Sequence, residues 1–576
     1  MKRTLVIISS LMFLFLSVSY SQIDTTVIIK QNITPDSIPT KRDSAKIRKD
    51  TVVENKFADA YYLNREKDFI SLSREQILLS DYFSFSDLLK NISGYYISDL
   101  GNPGQLNPLF FQGSNSKNTS LLVDGIPYNN SFFGIPDQSL VMTEDIEKIE
   151  VLPVSQSLLF GNSNVINIIT NKKNSNKPYT YVRHIEAPYD TYLTDGIFMR
   201  NLSSRSNLIA GFNYQTSDGR FDNSDYSFFG GRLRYRYILN EKMELNISDY
   251  FTKINRGLNG GVKLTDNLIT ENSFNGDAAN VVFPDSKENY LRNLLSAQLS
   301  GFFFGDSVNP TLLTLSYNTE KDDLTDFNEK LNQNHTQSIN NNSIFISINQ
   351  KLYLPKNILS FYFSLNRQSI DDFYPPDENN NPVYLGGQSN TIYTFSVGDN
   401  FIVSDFLSVY ASLRSVFRTN LQNSEKLNNF SFSINPKLHF SNFILSAEAA
   451  HLIRQPSLYE NYIQNTSLVD ELDYYSLSLK YKDDLFDSQL TGFFKNNIRL
   501  FLPGAFYNHK YLDFAYRGIS NPSEIYGFSA KVNLEFGKVL FESKCEFNRN
   551  TGTLLRKAIP EFSGYAGLYY YNRIFS

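Results

Sequence analysis

Beyond Pro178 the chain repeats one pattern, in which apolar and polar residues alternate over stretches of about 9 to 11 residues. Leu233, Tyr235 and Tyr237, for example, alternate with arginines at 232, 234 and 236. Such stretches predict antiparallel β-strands with one apolar and one polar face. In a membrane barrel the apolar face would contact lipid, and in a soluble sandwich it would face inward. The alternation alone leaves both architectures open.

The links between these strands favour the barrel. Every second link is short, at 202–205, 240–242, 305–309, 355–356, 404–405, 441–442, 483–484 and 537–538. Most of the others are longer, including 256–289, 320–337, 368–390, 455–473 and 500–522. Short turns on one side and long loops on the other are typical of outer-membrane barrels. We therefore predict a mainly β protein whose residues 176–576 form a transmembrane antiparallel β-barrel.

A different pattern precedes the barrel, between residues 65 and 175. A short helix is predicted after a serine, over Ser86 to Lys90, with Gly94 ending it. Leu121 to Val123 and Val165 to Ile169 read as short buried strands, and the apolar residues of 146–152 form a further short element. These elements predict a small α+β domain.

Composition narrows the function classes. The net charge of −5 gives no basic excess for binding nucleic acid. Membrane barrels carry girdles of aromatic residues at both membrane interfaces. Here the 37 Tyr and 47 Phe would have to form them, because the chain has no Trp. One cysteine, Cys545, excludes an intrachain disulfide framework. No phosphate loop, zinc-ligand spacing or nucleophile elbow is present, so we predict no enzyme, no cofactor and no metal site.

The N-terminus has the features of an export signal. Residues 1–21 combine Lys2 and Arg3 with a short apolar core and a small residue before the predicted cut at Gln22. Residues 22–64 are polar, with scattered proline and little periodicity, and are predicted to be a periplasmic linker.

Several segments of residues 87–170 resemble the plug domain of TonB-dependent outer-membrane transporters. They read D-L-L-K-N-I-S-G-Y-Y, F-F-Q-G, S-L-L-V-D-G-I-P-Y, I-E-K-I-E-V-L and S-L-L-F-G-N-S-N-V-I-N-I-I-T, in that order. Farther on, 453–459 (I-R-Q-P-S-L-Y) resembles a strand-end motif of the same family, and 465–471 the segment after it. The resemblance implies a plug over 65–175, with these motif residues: Gly113, Asp124, Gly125, Pro127, Glu150 and Gly161.

The chain departs from the family pattern inside the plug. Gln112 stands where the family usually has arginine, and Pro153, Val154 and Ser155 stand where it has Arg-Gly-Pro. The glycine-rich run before the last plug strand is shortened to 161–164. In the family these residues pack the plug against itself and the barrel, so the departures are compatible with a folded plug but put normal gating in question.

Two short patches of the linker resemble the TonB box, which the energy-transducing protein TonB binds by β-strand addition. The favoured one comprises Asp50, Thr51, Val52, Val53 and Glu54. The second comprises Asp24, Thr25, Thr26, Val27, Ile28 and Ile29. The first stands closer to the plug, as in the family. Runs of β-forming residues also arise in linkers by chance, and that reading stays open.

About eighteen strands can be counted up to Tyr571, whereas plugged outer-membrane transporters have 22. We therefore expect the barrel to be incomplete, with about four strands beyond Ser576. An open barrel would leave unpaired backbone groups in lipid. The competing interpretation is a complete, smaller barrel of eighteen strands.

The resemblance implies a protein of the outer membrane of a Gram-negative bacterium, in contact with its lipid. Its expected function is TonB-dependent import of a scarce small-molecule nutrient, such as a siderophore, cobalamin or a similar metal chelate. The alternative is a surface-binding or structural barrel derived from such a receptor that no longer transports. The sequence does not indicate which residues bind substrate.

Overall fold

The computed structural model describes most of the chain after residue 56. The described residues are 57–63, 70–101, 103–172, 174, 177–263, 271, 279–304, 309–328, 333–373, 387–420, 426–460, 469–503, 516–519, 523–552 and 559–570. They comprise a small α+β domain, called the plug below, and a barrel whose wall surrounds it. The predicted signal peptide and both TonB-box candidates lie outside the described residues.

Seven short strands and three short helices build the plug. The strands are β1 (Ile70–Ser73), β2 (Tyr95–Ile97), β3 (Leu109–Phe111), β4 (Thr119–Val123), β5 (Ile126–Pro127), β6 (Ile146–Leu152) and β7 (Asn164–Thr170). The helices are α1 (Arg74–Leu79), α2 (Phe85–Lys90) and α3 (Val154–Ser157). Single 3-10 turns lie at Ala58–Tyr61, Ser116–Asn118, Gln138–Leu140, Thr143–Asp145 and Leu158–Phe160.

The plug sheet has the strand order β1-β6-β7-β4-β5, and only β4 and β7 run parallel. Strands β2 and β3 form a separate hairpin. Ser73 caps α1, and the backbone N–H of Ser84 donates to Asp87 at the start of α2. Ile149 and Ile166 are fully buried in the core that the sheet shares with α2. The predicted helix and strands are confirmed to within two residues.

The wall strands are β8 (Tyr179–Ala187), β9 (Thr191–Ser203), β10 (Ser206–Ser217), β11 (Tyr226–Asn240), β12 (Met243–Gly257), β13 (Lys287–Gly301), β14 (Thr311–Asn328), β15 (Gln333–Tyr353), β16 (Asn357–Phe373), β17 (Gln388–Ser404), β18 (Leu407–Asn420), β19 (Lys426–Phe440), β20 (Phe443–Arg454), β21 (Asp470–Lys482), β22 (Phe486–Pro503), β24 (Ser523–Phe536), β25 (Val539–Asn550) and β26 (Phe562–Tyr570). The short β23 (Tyr516–Ile519) pairs with the end of β22, over Leu500–Pro503.

These eighteen wall strands follow one another in an antiparallel, closed barrel. The number of wall strands agrees with the number counted in the sequence. A closed barrel of eighteen strands is the arrangement that the competing interpretation describes. That further strands follow Ser576 stays a prediction. Where the barrel closes, β8 and β26 meet, and neither strand has a buried residue among those described. This seam is therefore the least packed part of the wall.

The two faces of the wall strands confirm the barrel over the sandwich. Arg232 and Arg234 are each 3% exposed, whereas Leu233 between them is 41% exposed. Apolar side chains thus point outward and polar ones into the lumen, as a membrane barrel requires. Exposed phenylalanines flank the short turns, as expected for an aromatic girdle; they include Phe304, Phe406, Phe440, Phe443 and Phe536.

One predicted loop is mostly strand. Of residues 320–337, all but 329–332 belong to β14 and β15, which form the longest hairpin of the wall. The polar residues there suggested a loop, yet polar side chains are compatible with strands that extend beyond the lipid into water. Within the described part of the chain, no helix is long and apolar enough to cross a membrane.

Candidate functional site

The candidate site is the interface between the plug and the barrel wall. The plug closes the barrel while this interface is intact, and the plug can move only if contacts of the interface are broken. Its contacts on the plug side begin at the turn after β4. Asp124 adopts a positive φ of 51°, and Gly125 follows with a φ of 80°. The Asp124 carboxylate accepts hydrogen bonds from Thr170 N (3.0 Å) and from Lys172 Nζ (2.6 Å). The turn is thereby fastened to the end of β7, and Pro127 continues into β5.

Burial alone would raise the pKa of Asp124, but Lys172 and neighbouring arginines outweigh it, so the pKa is lowered. The carboxylate is therefore ionised at neutral pH. Lys172 itself lies over the ring of Tyr61, 3.9 Å from its centroid. This places the charge pair between the incoming segment 57–63 and the chain that leaves the plug for the barrel.

Glu150 fastens the incoming segment to the plug sheet. Its side chain lies in β6 with no exposure, and Oε2 accepts hydrogen bonds from Leu63 N (2.9 Å) and Asn167 Nδ2 (3.1 Å). Burial raises the pKa of this carboxyl group. Asn167 Nδ2 also donates to the carbonyl of Tyr61 at 3.2 Å, so the segment that follows the linker is held by two buried side chains of the sheet.

Gly113 lies where the plug backbone comes closest to the last wall strands. It has a φ of 72°, and a Cβ added there would lie 2.7 Å from Cγ2 of Ile525. Only glycine meets both conditions without strain. The neighbouring Gln112 accepts a hydrogen bond from the hydroxyl of Tyr474 at 3.1 Å.

Gln112 stands where the family usually has arginine, and the positive charge near it is supplied by a lysine of the wall. Lys495 of β22 is fully buried and donates to the carbonyl of Phe111 (2.8 Å) and to Ser114 Oγ (2.9 Å). Sequence reasoning missed Lys495. The signal that could have found it was a lone lysine at a lumen-facing position directly after two aromatic residues, Phe493 and Phe494.

Ser155, at one of the positions that depart from the family pattern, is bound through its backbone. Its N–H donates to the carboxylate of Glu448 in β20. Its carbonyl accepts from Ser412 Oγ (2.8 Å) and Ser433 Oγ (3.2 Å), which lie on β18 and β19. The start of α3 is therefore fixed to three adjacent wall strands without an arginine.

A buried ion-pair network joins the plug to the 453–459 motif. Lys117 pairs with Glu460, which also accepts from Arg454 Nη1 at 2.9 Å, and Arg454 Nε donates to Asp470 at 2.8 Å. Burial opposes the charge of Glu460, but Arg454 and Lys117 lower its pKa to about 2. Burial lowers the pKa of Lys117 to about 8, against the opposing effect of Glu460. Both groups are charged at neutral pH.

Lumen-facing arginines of the first wall strands make a second set of contacts with the plug. Arg234 donates to Asp145 at 2.5 Å, and Arg236 donates to the carbonyl of Lys172 at 2.7 Å. Farther round, Arg256 contacts Asp137 (3.2 Å), and Arg292 donates to the carbonyl of Tyr128 (2.9 Å). Plug and wall are therefore joined along these strands by hydrogen bonds and ion pairs, and also by an apolar cluster that includes Tyr250 and Leu294 of the wall.

Gly161 ends the 3-10 turn after α3 with a φ of 103°. Together with Asn129 and Asn162 of the plug and side chains of β13 to β18 and of the 453–459 motif, it lines a cavity of about 200 Å³. Among the described residues, no group of three or more His, Cys, Asp and Glu side chains is placed to hold a metal ion.

Residues 67–168 match the family model described as the TonB-dependent Receptor Plug Domain. Curated relatives include the vitamin B12 transporter BtuB of Vibrio vulnificus strain YJ016, 31% identical over 83 residues, which are 14% of each chain. BtuB of Vibrio cholerae O395 is 29% identical over 112 residues, 19% of this chain and 18% of that relative. The aligned part thus spans less than a fifth of these relatives.

Solved structures resemble the whole described architecture. The copper transporter OprC superposes with a TM-score of 0.70 at 12% identity, covering 88% of this chain and 84% of that one. The siderophore receptor PirA of Acinetobacter baumannii gives a TM-score of 0.62 at 15% identity, with 83% and 80% covered. At such identities the likeness shows the fold alone, while the plug match identifies the domain inside it. The chain thus carries a TonB-dependent receptor plug domain within a transmembrane antiparallel β-barrel.

Proposed function

We propose that this receptor imports a scarce nutrient, such as a siderophore, cobalamin or a similar metal chelate, across the outer membrane, with energy supplied through TonB. One observation carries the proposal: the plug occupies the barrel lumen and is joined to the wall on several sides by polar contacts. Strands β11 to β13, β18 to β20 and β22 all contribute hydrogen bonds or ion pairs to it.

A plug held in this way closes the barrel until it moves. Each buried hydrogen bond stabilises the assembly by only about 0.5–1.5 kcal/mol net, since water can replace the partner when the interface opens. The polar contacts can therefore be hydrated and reformed, whereas separating the apolar part of the interface would expose apolar surface at about 25 cal/mol per Å². This favours a plug that is remodelled in each cycle.

The anchoring of segment 57–63 suggests where a pull would act first. The segment follows the favoured TonB box, Asp50 to Glu54, and is held by Glu150 through Leu63 N. A force applied to the linker by strand addition would thus reach the sheet at Glu150. TonB as the partner and a small-molecule ligand at the outer loops and the upper plug surface are parts of this proposal.

The non-transporting alternative was motivated by the altered plug positions. Gln112 and Ser155 each have a wall partner, Tyr474 and Glu448 respectively. The substitutions therefore do not leave the plug detached from the wall at these points, and we favour transport.

Uptake of a radiolabelled ferric siderophore or cobalamin panel by cells that depend on this receptor tests the proposal. Uptake is expected to require TonB and to be lost in Val52→Pro/Val53→Pro, because proline removes the backbone donors needed for strand addition. The matched control is Val27→Pro/Ile28→Pro in the second candidate box, which should leave uptake intact. Uptake of any ligand of the panel that persists without TonB would contradict the proposal.

A further inference from the structure

Two cavities are stacked between the plug and the β15–β18 side of the wall. The upper one is the cavity of about 200 Å³ described above, and the lower one has a volume of about 130 Å³. On β16, Ser360 lines the lower cavity and Ser364 the upper one. Between them stands Tyr362, which lines both cavities together with Phe160 of the plug. The ring centroids of Phe160 and Tyr362 are 4.7 Å apart, so this pair separates the two cavities.

The charges that line the cavities are all positive among the described residues. Lys117, Arg414 and Arg454 line the upper cavity, Lys351 lines the lower one, and no carboxylate lines either. Lys117 and Arg454 are both paired with Glu460. Arg414 is different, because it is 5% exposed and forms no ion pair with any described residue.

The guanidinium of Arg414 has one free edge, at Nη2. Its Nη1 donates to the carbonyl of Ile453 at 3.0 Å, and Nε is buried without a hydrogen-bond partner. Nη2 is therefore the group that can donate to an oxygen of a carboxylate or phosphate in the cavity that Arg414 lines. A buried charge without a partner is costly, and a bound anion would remove that cost.

Gly161 packs closely against this edge. A Cβ added to it would lie 2.8 Å from Nη2 of Arg414. The preceding residue is Phe160, and Ser396 Oγ donates to the carbonyl of Leu159 at 2.9 Å, which holds the same turn against the wall. One turn of the plug therefore faces the guanidinium and also supplies the aromatic ring that closes the floor of the cavity.

We propose that the upper cavity binds an anionic oxygen group of the ligand, a carboxylate or a phosphate, on the free edge of Arg414, above the floor made by Phe160 and Tyr362. At about 200 Å³ the cavity is smaller than the roughly 300–1,000 Å³ of sites for drug-sized molecules. It therefore takes one anionic arm of a larger ligand. The role of this site in uptake rests on the proposed import, but anion binding itself needs neither TonB nor transport.

Charged thiol reagents test the site in the purified full-length receptor. Asn366 lines the upper cavity on β16, and Cys545 is the single native cysteine. In an Asn366→Cys/Cys545→Ser receptor, the anionic sulfonatoethyl methanethiosulfonate is expected to react faster than the cationic trimethylammonium-ethyl reagent. Adding Arg414→Gln should lower the ratio of the two rates by about tenfold or more, as the loss of one nearby charge requires. An unchanged ratio would overturn the proposal.

Arg418→Gln is the matched control. Arg418 lies on the same strand and is 4% exposed, yet it does not line the cavity, so this change should leave the ratio close to that of the parent. If Arg414→Gln does not fold, Arg414→Lys keeps the test decisive. Lysine keeps the charge and therefore the rate ratio, but it lacks the planar edge and should weaken protection by a bound anion.

Protection of the Asn366→Cys thiol identifies the anionic group. Benzoate and phenyl phosphate serve as the carboxylate and phosphate probes, and benzyl alcohol is the uncharged control. Protection by either anion that is lost in Arg414→Gln supports the site, and its relative strength tells carboxylate from phosphate. Protection by benzyl alcohol as strong as that by the anions, or none by either anion, would contradict it. These assays measure no uptake. A negative result would therefore contradict the anion site without contradicting TonB-dependent import, and loss of the import proposal would leave the anion site untouched.

Discussion

Lys117 of the plug and Glu460 of the wall motif form an ion pair in which the side chains are 2% and 1% exposed. The pair joins two segments that lie 343 residues apart in the sequence. It links the 3-10 turn Ser116–Asn118 of the plug to the segment after β20, beside the Arg414 cavity. Several expected outcomes follow from the burial of this contact and of its neighbours.

Lys117→Met should loosen the plug strongly. It leaves Glu460 buried with Arg454 as its remaining charged partner, and breaking a buried pair costs about 3–5 kcal/mol. The matched control is Lys90→Met, since Lys90 pairs with Asp87 and Asp99 at the surface, where such pairs contribute about 0–1 kcal/mol. Hydrogen exchange of plug amides along a urea titration measures both. Equal effects of the two changes would contradict the role of the buried pair.

Acid should weaken the same contact. The pKa of Glu460 is lowered from 4.5 to about 2, so the stabilisation is complete above about pH 4.5 and is lost as the pH falls towards 2. Urea resistance of the plug, measured between pH 7 and pH 2.5, should therefore decline over this window. In Glu460→Gln that part of the decline should be absent. A variant with an unchanged acid profile would assign the pH dependence to other groups.

Glu150→Gln should release the incoming segment. Glutamine is uncharged, so the charge-assisted hydrogen bond from Leu63 N is weakened to an ordinary one, at a loss of about 1 kcal/mol. Faster hydrogen exchange at residues 60–63 is expected, with little change in β4 or β7. Glu147→Gln is the control, because Glu147 lies on the same strand and its side chain is only partly buried. If the control speeds exchange equally, Glu150 does not anchor this segment.

Lys495→Met should free the hairpin of β2 and β3 from the wall. The change removes a charged donor from the Phe111 carbonyl, which keeps its hydrogen bond from Ser114 N, and from Ser114 Oγ, at about 1.5–3 kcal/mol. Limited proteolysis between 98 and 108 reports the release. Lys531→Met serves as the comparison, because Lys531 is a partly exposed wall lysine that pairs with Asp487. We expect it to leave the cleavage rate of the hairpin unchanged.

The sequence predicted the wall better than the interface. The wall strands could be predicted because the alternation at 232–237 and the short turns are local sequence patterns, which a single sequence shows directly. The β14–β15 hairpin was missed in part because its polar residues are equally compatible with a loop and with a strand in water. The partners of Gln112 and Ser155 could not be predicted, since they depend on which wall strand the closed barrel brings to each side of the plug. Arg414 was hidden for the same reason: its free edge exists only relative to Gly161.

A reversible lock between plug and wall tests the central claim, namely that the plug must move for import. A Cβ added to Gly134 would lie 2.9 Å from Cβ of Ser457, just under the roughly 3.5–4.5 Å of a disulfide. Both residues lie outside the regular strands and can shift by this small amount. In Gly134→Cys/Ser457→Cys/Cys545→Ser cells, uptake should stop when the disulfide forms and return when a reductant opens it. Full uptake with the disulfide intact would contradict the account.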